Sequence, residues 1–426
     1  MMAGHPAIPL AQDRRLLQRD RLLDADYMAR IFSHKLGLGG PSGIERCQVI
    51  RVAYRPGKSL RVAYRVQAEE HQFVIAGRAV PQGVDMAAYE RQSTVAKEGW
   101  PSGPVACREA GILFWIFPSD RKIAHLGLLT DPQRLASELG RQWVRCDLVT
   151  YAPEKCATVR CLGEQGDVSA YIKIYADARS ETCCRTYLAL PQNNGKSADA
   201  FFPTVGGHLP QHHLLLFEPL HGPRIADLQP HDMELGFRKL GAALGCLHQI
   251  TAPPHLQEFQ RTQPEQLRRA ATTIGFVRPE LEELAWSVCE QLCQTRDSSE
   301  GSAFLHGDVH AKNGILMGNR VAIIDLDQAA IGLPAADLGS FLAALRYERL
   351  TGGLSESRER RLAQAFLDGY ATRSQFPETD SLRWHTAAAL LAERTMRAVT
   401  RLRAPGLLHL PELLNEARQV LTREAA

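Results

Sequence analysis

Residues 46–66, RCQVIRVAYRPGKSLRVAYRV, and residues 143–162, WVRCDLVTYAPEKCATVRCL, carry one pattern twice, 97 positions apart. Each alternates apolar and polar side chains on both sides of a Pro-bearing turn, the period-2 signal of a β-hairpin. Tyr54, Pro56, Lys58 and Val62 correspond to Tyr151, Pro153, Lys155 and Val159. Four identities in register around Tyr-x-Pro-x-Lys argue for a duplication, so the chain has to build one half-buried β unit twice. A third apolar strand follows each hairpin, HQFVIAGRAV at 71–80 and SAYIKIYA at 169–176, and then a stretch that can be helical. The copies differ in that third strand. The second places Lys173 between Ile172 and Ile174, whereas the first has Gly77-Arg78 nearby. Function is therefore expected in the second copy, with the first as scaffold or relic.

Beyond the second copy, HHLLLFEPLHG at 212–222 reads as an apolar strand running into a Pro/Gly connection. Leu235, Leu240, Leu244 and Leu247 then predict a helix over 233–249, ended by Pro253-Pro254. Two further helices are expected at 264–275 and 278–294, where Cys289 and Cys293 share a face as core residues. From 335 onward the pattern is almost wholly helical, with turns at Gly352-Gly353 and around Pro377. The order predicts an α+β chain: an N-terminal domain at 1–135 with the degenerate copy, a β-rich lobe at 136–219, and a helical lobe at 220–426.

Fifty basic and 47 acidic residues, mixed along the chain for a net charge of +3, supply no field of the kind nucleic acid needs. The ten cysteines contain no CxxC pair, which reads as reduced thiols in a cytoplasmic protein. No membrane partner is expected, because neither a signal-peptide pattern nor a span of about 20 apolar residues occurs. A sheet edge of the first copy could support a homo-oligomer.

The chemistry concentrates in AFLHGDVHAKNGILMGNRVAIIDLDQAAIGLPAADLGSF at 303–341. Phe304-Leu305 enters a loop bearing His306, Asp308, His310 and Asn313, and GILM and VAIID form a tight hairpin around Gly318-Asn319. The second strand ends at Asp325. Asp308 and Asn313 thus precede the hairpin and Asp325 follows it, so the three side chains can converge at one end of a small sheet. Two carboxylates and an amide oxygen suit magnesium, with Asp308 free to orient a hydroxyl nucleophile. Phosphoryl transfer asks for little more than this, since positioning and charge neutralisation lower most of its barrier.

His-Gly-Asp-x-His-x-x-Asn at 306–313, Ile-Asp-x-Asp at 324–327 and Pro-x-x-Asp-Leu at 334–338 resemble the aminoglycoside phosphotransferase and choline kinase superfamily over roughly residues 140–426. The resemblance implies a bilobal protein-kinase-like fold with ATP and Mg as cofactors. It makes Asp308 the catalytic base or hydroxyl-orienting carboxylate, makes Asn313 and Asp325 magnesium ligands, and offers Asp327 to a second magnesium. His306 and Asp337 fall where the family braces the catalytic loop. Lys173 becomes the nucleotide lysine and Glu181 its partner, while adenine is expected at the hinge near Phe217, Glu218 and Leu220. No GxGxxG occurs. The turns PGKS and PEKC stand in its place, and Lys155 either approaches the phosphates or is a solvated turn lysine.

The expected activity is transfer of the γ-phosphate to a hydroxyl of a small-molecule acceptor of the sugar, amino sugar or amino alcohol class. A catalytically silent nucleotide-binding or regulatory module is the alternative, and transfer of another group from ATP stays open. An aminoglycoside pocket would need acidic groups facing the loop, for which Glu280, Glu282, Glu283, Glu348 and Glu393 are candidates.

Overall fold

The computed structural model describes residues 10–39, 43–87, 104–191, 200–295 and 301–422. Two helices open it, α1 (Arg19–Leu23) and α2 (Ala25–Leu36). The second is capped by Asp24, which accepts from the N–H groups of Asp26 and Tyr27, and stopped by Gly37 at φ 64°. Strands β1 (Arg46–Arg55), β2 (Ser59–Ala68), β3 (His71–Ala79), β4 (Val105–Cys107) and β5 (Ile112–Ile116) make an antiparallel sheet in the order β1-β2-β3-β5-β4. Helix α3 (Pro132–Leu139), with Asp131 as cap and Gly140 at its end, leads to a second sheet. Its strands are β6 (Arg145–Ala152), β7 (Cys156–Leu162) and β8 (Val168–Tyr175). Helix α4 (Arg179–Leu188) and the short β9 (Ala200–Phe201) come next, and then β10 (Val205–Leu209) and β11 (Leu214–Phe217). The second order, β6-β7-β8-β11-β10, has the same topology as the first. The helix expected after the first copy's third strand falls largely on 88–103, outside the described residues.

The duplication extends further than the hairpins. Asp13 Oδ1 accepts from the N–H groups of Arg15 and Leu16, and its Oδ2 accepts from the Tyr54 hydroxyl and the Gly57 N–H. Asp120 does the same with Lys122, Ile123, the Tyr151 hydroxyl and the Glu154 N–H. Both turns place the residue after proline in the left-handed region, Gly57 at φ 66° and Glu154 at φ 61°. Each unit therefore begins with an Asp-Arg-basic-apolar segment that fastens the tip of its own hairpin.

The two sheets stack in tandem. Because side chains alternate along a strand, Tyr54, Val62 and Phe114 face the N-terminal helices, and Ala63, Ala76 and Trp115 face the other way. That second face packs on Val159, Ile172, Ile174 and Leu216 of the second sheet. By strand register Arg78, opposite Arg61 as Lys173 is opposite Thr158, stands where the second copy has its lysine, and it pairs with Glu154, so the front of the first sheet is filled by the back of the second.

The rest is helical. Helix α5 (Met233–His248) buries Phe237, Leu240, Leu244 and Leu247. Leu235, assigned to that stripe from the sequence, is 52% exposed. Five residues separate it from Leu240, which turns it about 140° away, and Phe237 holds the inward position instead. Helices α6 (Pro264–Val277) and α7 (Glu282–Gln294) follow, the latter burying Cys289 with Cys293 packed beside it. Next come β12 (Ala303–Leu305), the hairpin β13 (Gly314–Met317) and β14 (Arg320–Ile323), and β15 (Ala330–Gly332). Strand β9 joins β14 in parallel, and β12 pairs with β15.

Helix α8 (Pro334–Leu350) is followed by α9 (Glu356–Ala371), which crosses α5 at backbone contact. A Cβ on Gly241 would meet the Phe366 carbonyl oxygen at 1.9 Å, which is why glycine is tolerated inside a buried helix. Helix α10 (Thr379–Ala389) runs through a π-helical turn at Leu390–Thr395 into α11 (Met396–Arg401), and α12 (Ala404–Leu408) and α13 (Leu410–Thr422) close the chain. Among the described residues no helix is long and apolar enough to cross a membrane.

Candidate active site

Strand β12 delivers the chain into a loop held from below. Asp337, buried in the first turn of α8, accepts from the N–H groups of His306 (2.7 Å) and Gly307 (2.9 Å) and meets His248 Nε2 at 3.2 Å. Gly307 sits at φ 76°, where a Cβ would strike the Gln328 carbonyl, so only glycine makes this bend. His306 is fully buried, with Nε2 3.0 Å from the Ile324 carbonyl, and its Nδ1 accepts the Asp308 N–H at 3.2 Å. The ring therefore carries its proton on Nε2 and ties the loop to the β14 strand end. Asn313 donates its amide to the Asp308 carbonyl at 3.1 Å, leaving its side-chain oxygen for another ligand. Asp325 ends the hairpin at φ 65°, ψ 57°, a conformation unfavourable for most non-glycine residues and common at functional turns.

Lys173 reaches this point from β8. Ile172 and Ile174 are buried on the back of the sheet, so the alternation aims the lysine at the hairpin end, where Nζ lies 2.9 Å from Asp325 Oδ1 and 2.7 Å from Asp327 Oδ2. Burial pushes the ammonium pKa down, but Asp327 and Asp325 outweigh it and hold the group well above the ordinary lysine value. The Tyr175 hydroxyl donates to Asp327 Oδ1 at 2.8 Å. Asn313, Asp325 and Asp327 offer hard oxygen donors, which fits magnesium. Among the described residues no three His, Cys, Asp or Glu side chains form a self-sufficient metal cluster. Two carboxylates and an amide suit an ion whose shell is completed by phosphate oxygens and water.

These groups open on a cleft of about 1270 Å³, also lined by Asp308, Lys155, Phe217, Glu218 and Leu220. Phe217 packs edge-on against Tyr187, with ring centroids 5.0 Å apart. Glu218 is pinned by both terminal nitrogens of Arg141, and its N–H donates to the Thr204 carbonyl. Glu181 does not meet Lys173. It is exposed in the first turn of α4, and the face of that helix turned to the site presents Cys183, 3.6 Å from Asp327, and Tyr187, which accepts the Leu326 N–H. The lysine's counter-charge comes from the hairpin end instead.

The 153–155 turn is clamped by two arginines of the first copy and one of its own. Glu154, with 1% of its side chain exposed, pairs with Arg61, Arg78 and Arg121. Lys155 follows it into the cleft, its pKa lowered by desolvation and by Arg61, Arg179, Arg51 and Arg55.

Asp308 lies between two arginines, 2.9 Å from Arg397 and 3.7 Å from Arg261. Burial raises its pKa, yet Arg397, Arg261 and His310 prevail and hold it well below the usual carboxylate range. His310 lines the same cleft with a buried Nδ1 that has no hydrogen-bond partner, and burial brings its pKa down to about 4 against the pull of Asp308. Of the five acidic residues considered for an acceptor pocket, only Glu348 lines the cleft. Glu393 is held by Ser340, Arg394 and Arg261. Arg261, Arg397, Tyr175 and the Asp120–Glu154 clamp were not expected from the sequence. Asp13-Arg14-Arg15-Leu16 mirrored by Asp120-Arg121-Lys122-Ile123 was the available signal for the last.

Residues 200–385 match the phosphotransferase enzyme family, APH. None of the curated proteins matches the chain. Among solved structures, a thermostable mutant of aminoglycoside phosphotransferase APH(4)-Ia, in complex with ADP and hygromycin B, aligns over 69% of this chain and 99% of its own at 10% identity and a TM-score of 0.50. Spectinomycin phosphotransferase APH(9)-Ia aligns over 68% and 98% at 14% identity, TM-score 0.47, and choline kinase from Cryptosporidium parvum over 65% and 89% at 12% identity, TM-score 0.46. The chain resembles the aminoglycoside phosphotransferase and choline kinase group and has the bilobal protein-kinase-like fold, with an extra copy of the β-rich lobe at its N-terminus.

Proposed function

From the family match and the site geometry, we propose that this chain transfers the γ-phosphate of ATP, with magnesium, to a hydroxyl group of a small molecule. One observation carries the reading: Lys173, Asp325, Asp327, Asn313 and Asp308 line one cleft beneath the 153–155 turn. In this reading adenine occupies the hinge beside Phe217, Glu218 and Leu220, and Lys173 and Lys155 face the phosphates. Asn313 and Asp325, with Asp327 beside them, would hold magnesium, which when bound would supply neutralisation of charge on the phosphate oxygens.

Asp308 accepts a hydrogen bond from the acceptor hydroxyl and aims its oxygen at phosphorus. The acceptor O–P bond forms as the bond from γ-phosphorus to the bridging oxygen breaks, and that electron pair leaves on ADP. The hydroxyl proton passes late to Asp308 and from there to water. Arg397 and Arg261 make the carboxylate a weak base, which suits a loose transition state in which orientation matters more than early proton removal. We expect Asp308→Asn to lower kcat by about 10²–10⁴ with the KM for ATP unchanged. Steady-state ADP release measures it, and an undiminished rate refutes the assignment. A catalytically silent module would instead bind Mg-ATP and release no ADP with any acceptor.

A further inference from the structure

The cleft as a whole is far more basic than the chain. Eleven basic and five acidic side chains line it, against 50 and 47 in the whole sequence, so the excess is local. On the helix that continues from α10 through the π turn, Arg394, Arg397 and Arg401 recur at three- and four-residue spacing and form one stripe along the wall. Arg403 follows after Leu402, whose left-handed backbone (φ 48°) ends α11. Arg51 enters from β1 of the first sheet.

Their commitments differ. Arg394 is taken up by Glu393 and Ser340, and Arg397 holds Asp308. Among the described residues Arg51, Arg401 and Arg403 make no ion pair, although all three line the cleft. Their fields overlap, since the Arg401 pKa is brought down to about 10 by burial and by Arg397, Arg403 and Arg51, with only Asp308 opposing. Uncompensated guanidinium groups gathered at one wall repel a cationic acceptor and attract an anionic one, and their planar forks suit phosphate and carboxylate oxygens.

We propose that the hydroxyl acceptor carries an anionic group, a phosphate monoester or a carboxylate, that docks on Arg401 and Arg403, with Arg51 of the first β copy completing the site. This rests on the phosphotransferase reading above and names its substrate class. It also gives the first copy a role in the cleft, because Arg51 is its contribution.

The test separates the two readings. With the triphosphate site filled by magnesium and AMP-PNP, calorimetric titration with inorganic phosphate is expected to show one further binding event. That event is expected to weaken at least tenfold in Arg401→Gln and recover substantially in Arg401→Lys, with AMP-PNP affinity unchanged in both. ADP release is then measured with sugar phosphates, hydroxy acids, the parent neutral sugars and aminoglycosides, and turnover is expected only with the first two classes, which the assay distinguishes from each other. Phosphate that fails to bind while AMP-PNP binds overturns the inference and spares the phosphotransferase reading. Turnover of neutral or cationic acceptors with a KM indifferent to Arg401→Gln also overturns it, as does a rise confined to the KM for ATP. Absence of any magnesium-dependent AMP-PNP binding sinks the phosphotransferase reading itself.

Discussion

His310 shows how one side chain in this cleft answers to its surroundings. Its Nδ1 is buried without a partner, and its pKa falls from 6.5 to about 4, so the folded protein binds fewer protons than the unfolded chain between those values. The sign follows: stability contributed by the neutral ring is complete above about pH 6.5 and is lost as pH falls toward 4. We expect His310→Asn to flatten the decline in melting temperature between pH 6.5 and 4 relative to the parent protein, as followed by thermal denaturation in a pH series. A decline of unchanged steepness would place the acid sensitivity elsewhere. Asp308 two residues away moves oppositely, because two arginines oppose the effect of burial, and the two groups together explain why the loop can present an ionised carboxylate beside a neutral imidazole.

The 153–155 turn is the element on which the two halves of the duplication meet. Glu154 occupies the left-handed position that its counterpart gives to Gly57, an unfavourable choice of residue offset by Arg61 and Arg78 of the first copy and Arg121 of its own. Removing the negative charge leaves those cations without their partner in a largely buried place. We expect Glu154→Gln to destabilise the protein by about 3–5 kcal/mol, the scale for breaking a buried ion pair, as read from denaturant or thermal unfolding. The KM for ATP is expected to rise several-fold as the turn loosens over the phosphates. A loss of stability with an unaltered KM would make the clamp purely structural. The Asp120 hydrogen bonds remain in this variant and keep the hairpin tip in register.

At the scale of the molecule, the tandem stack decides what each copy can do. The second sheet keeps its front open toward the helical lobe, with Lys173 on it. The first spends its front on the back of the second, with Ala76 and Trp115 in the contact. Its own back is covered by α1 and α2 and shares a core with α6, α7, α10 and α13. The first copy therefore braces both lobes. We expect a chain beginning at residue 136 to expose Val159, Ile172, Ile174 and Leu216, and to accumulate in the insoluble fraction or bind an apolar dye on isolation. A soluble, monodisperse fragment that still binds nucleotide would show the stack to be dispensable.

The repeat, the hairpin at 314–323 and the gathering of Asp308, Asn313 and Asp325 were legible in the linear sequence, because turn residues and period-2 alternation are local and a tight hairpin leaves its flanking residues few places to go. Lys173 was legible for the same reason, since its isoleucine neighbours dictate which face it takes. Leu235 and Glu181 were misread because a helix's rotation about its axis is set by what packs against it, and a few residues of phase carried both side chains away from their expected places. The clamp on Glu154, the arginines around Asp308 and the cluster of Arg51, Arg401 and Arg403 belong to the tertiary structure alone. Each joins residues distant along the chain, and only the stacking of one sheet on another, of β1 against α11, and the approach of α11 to the 306–313 loop bring their charges within reach.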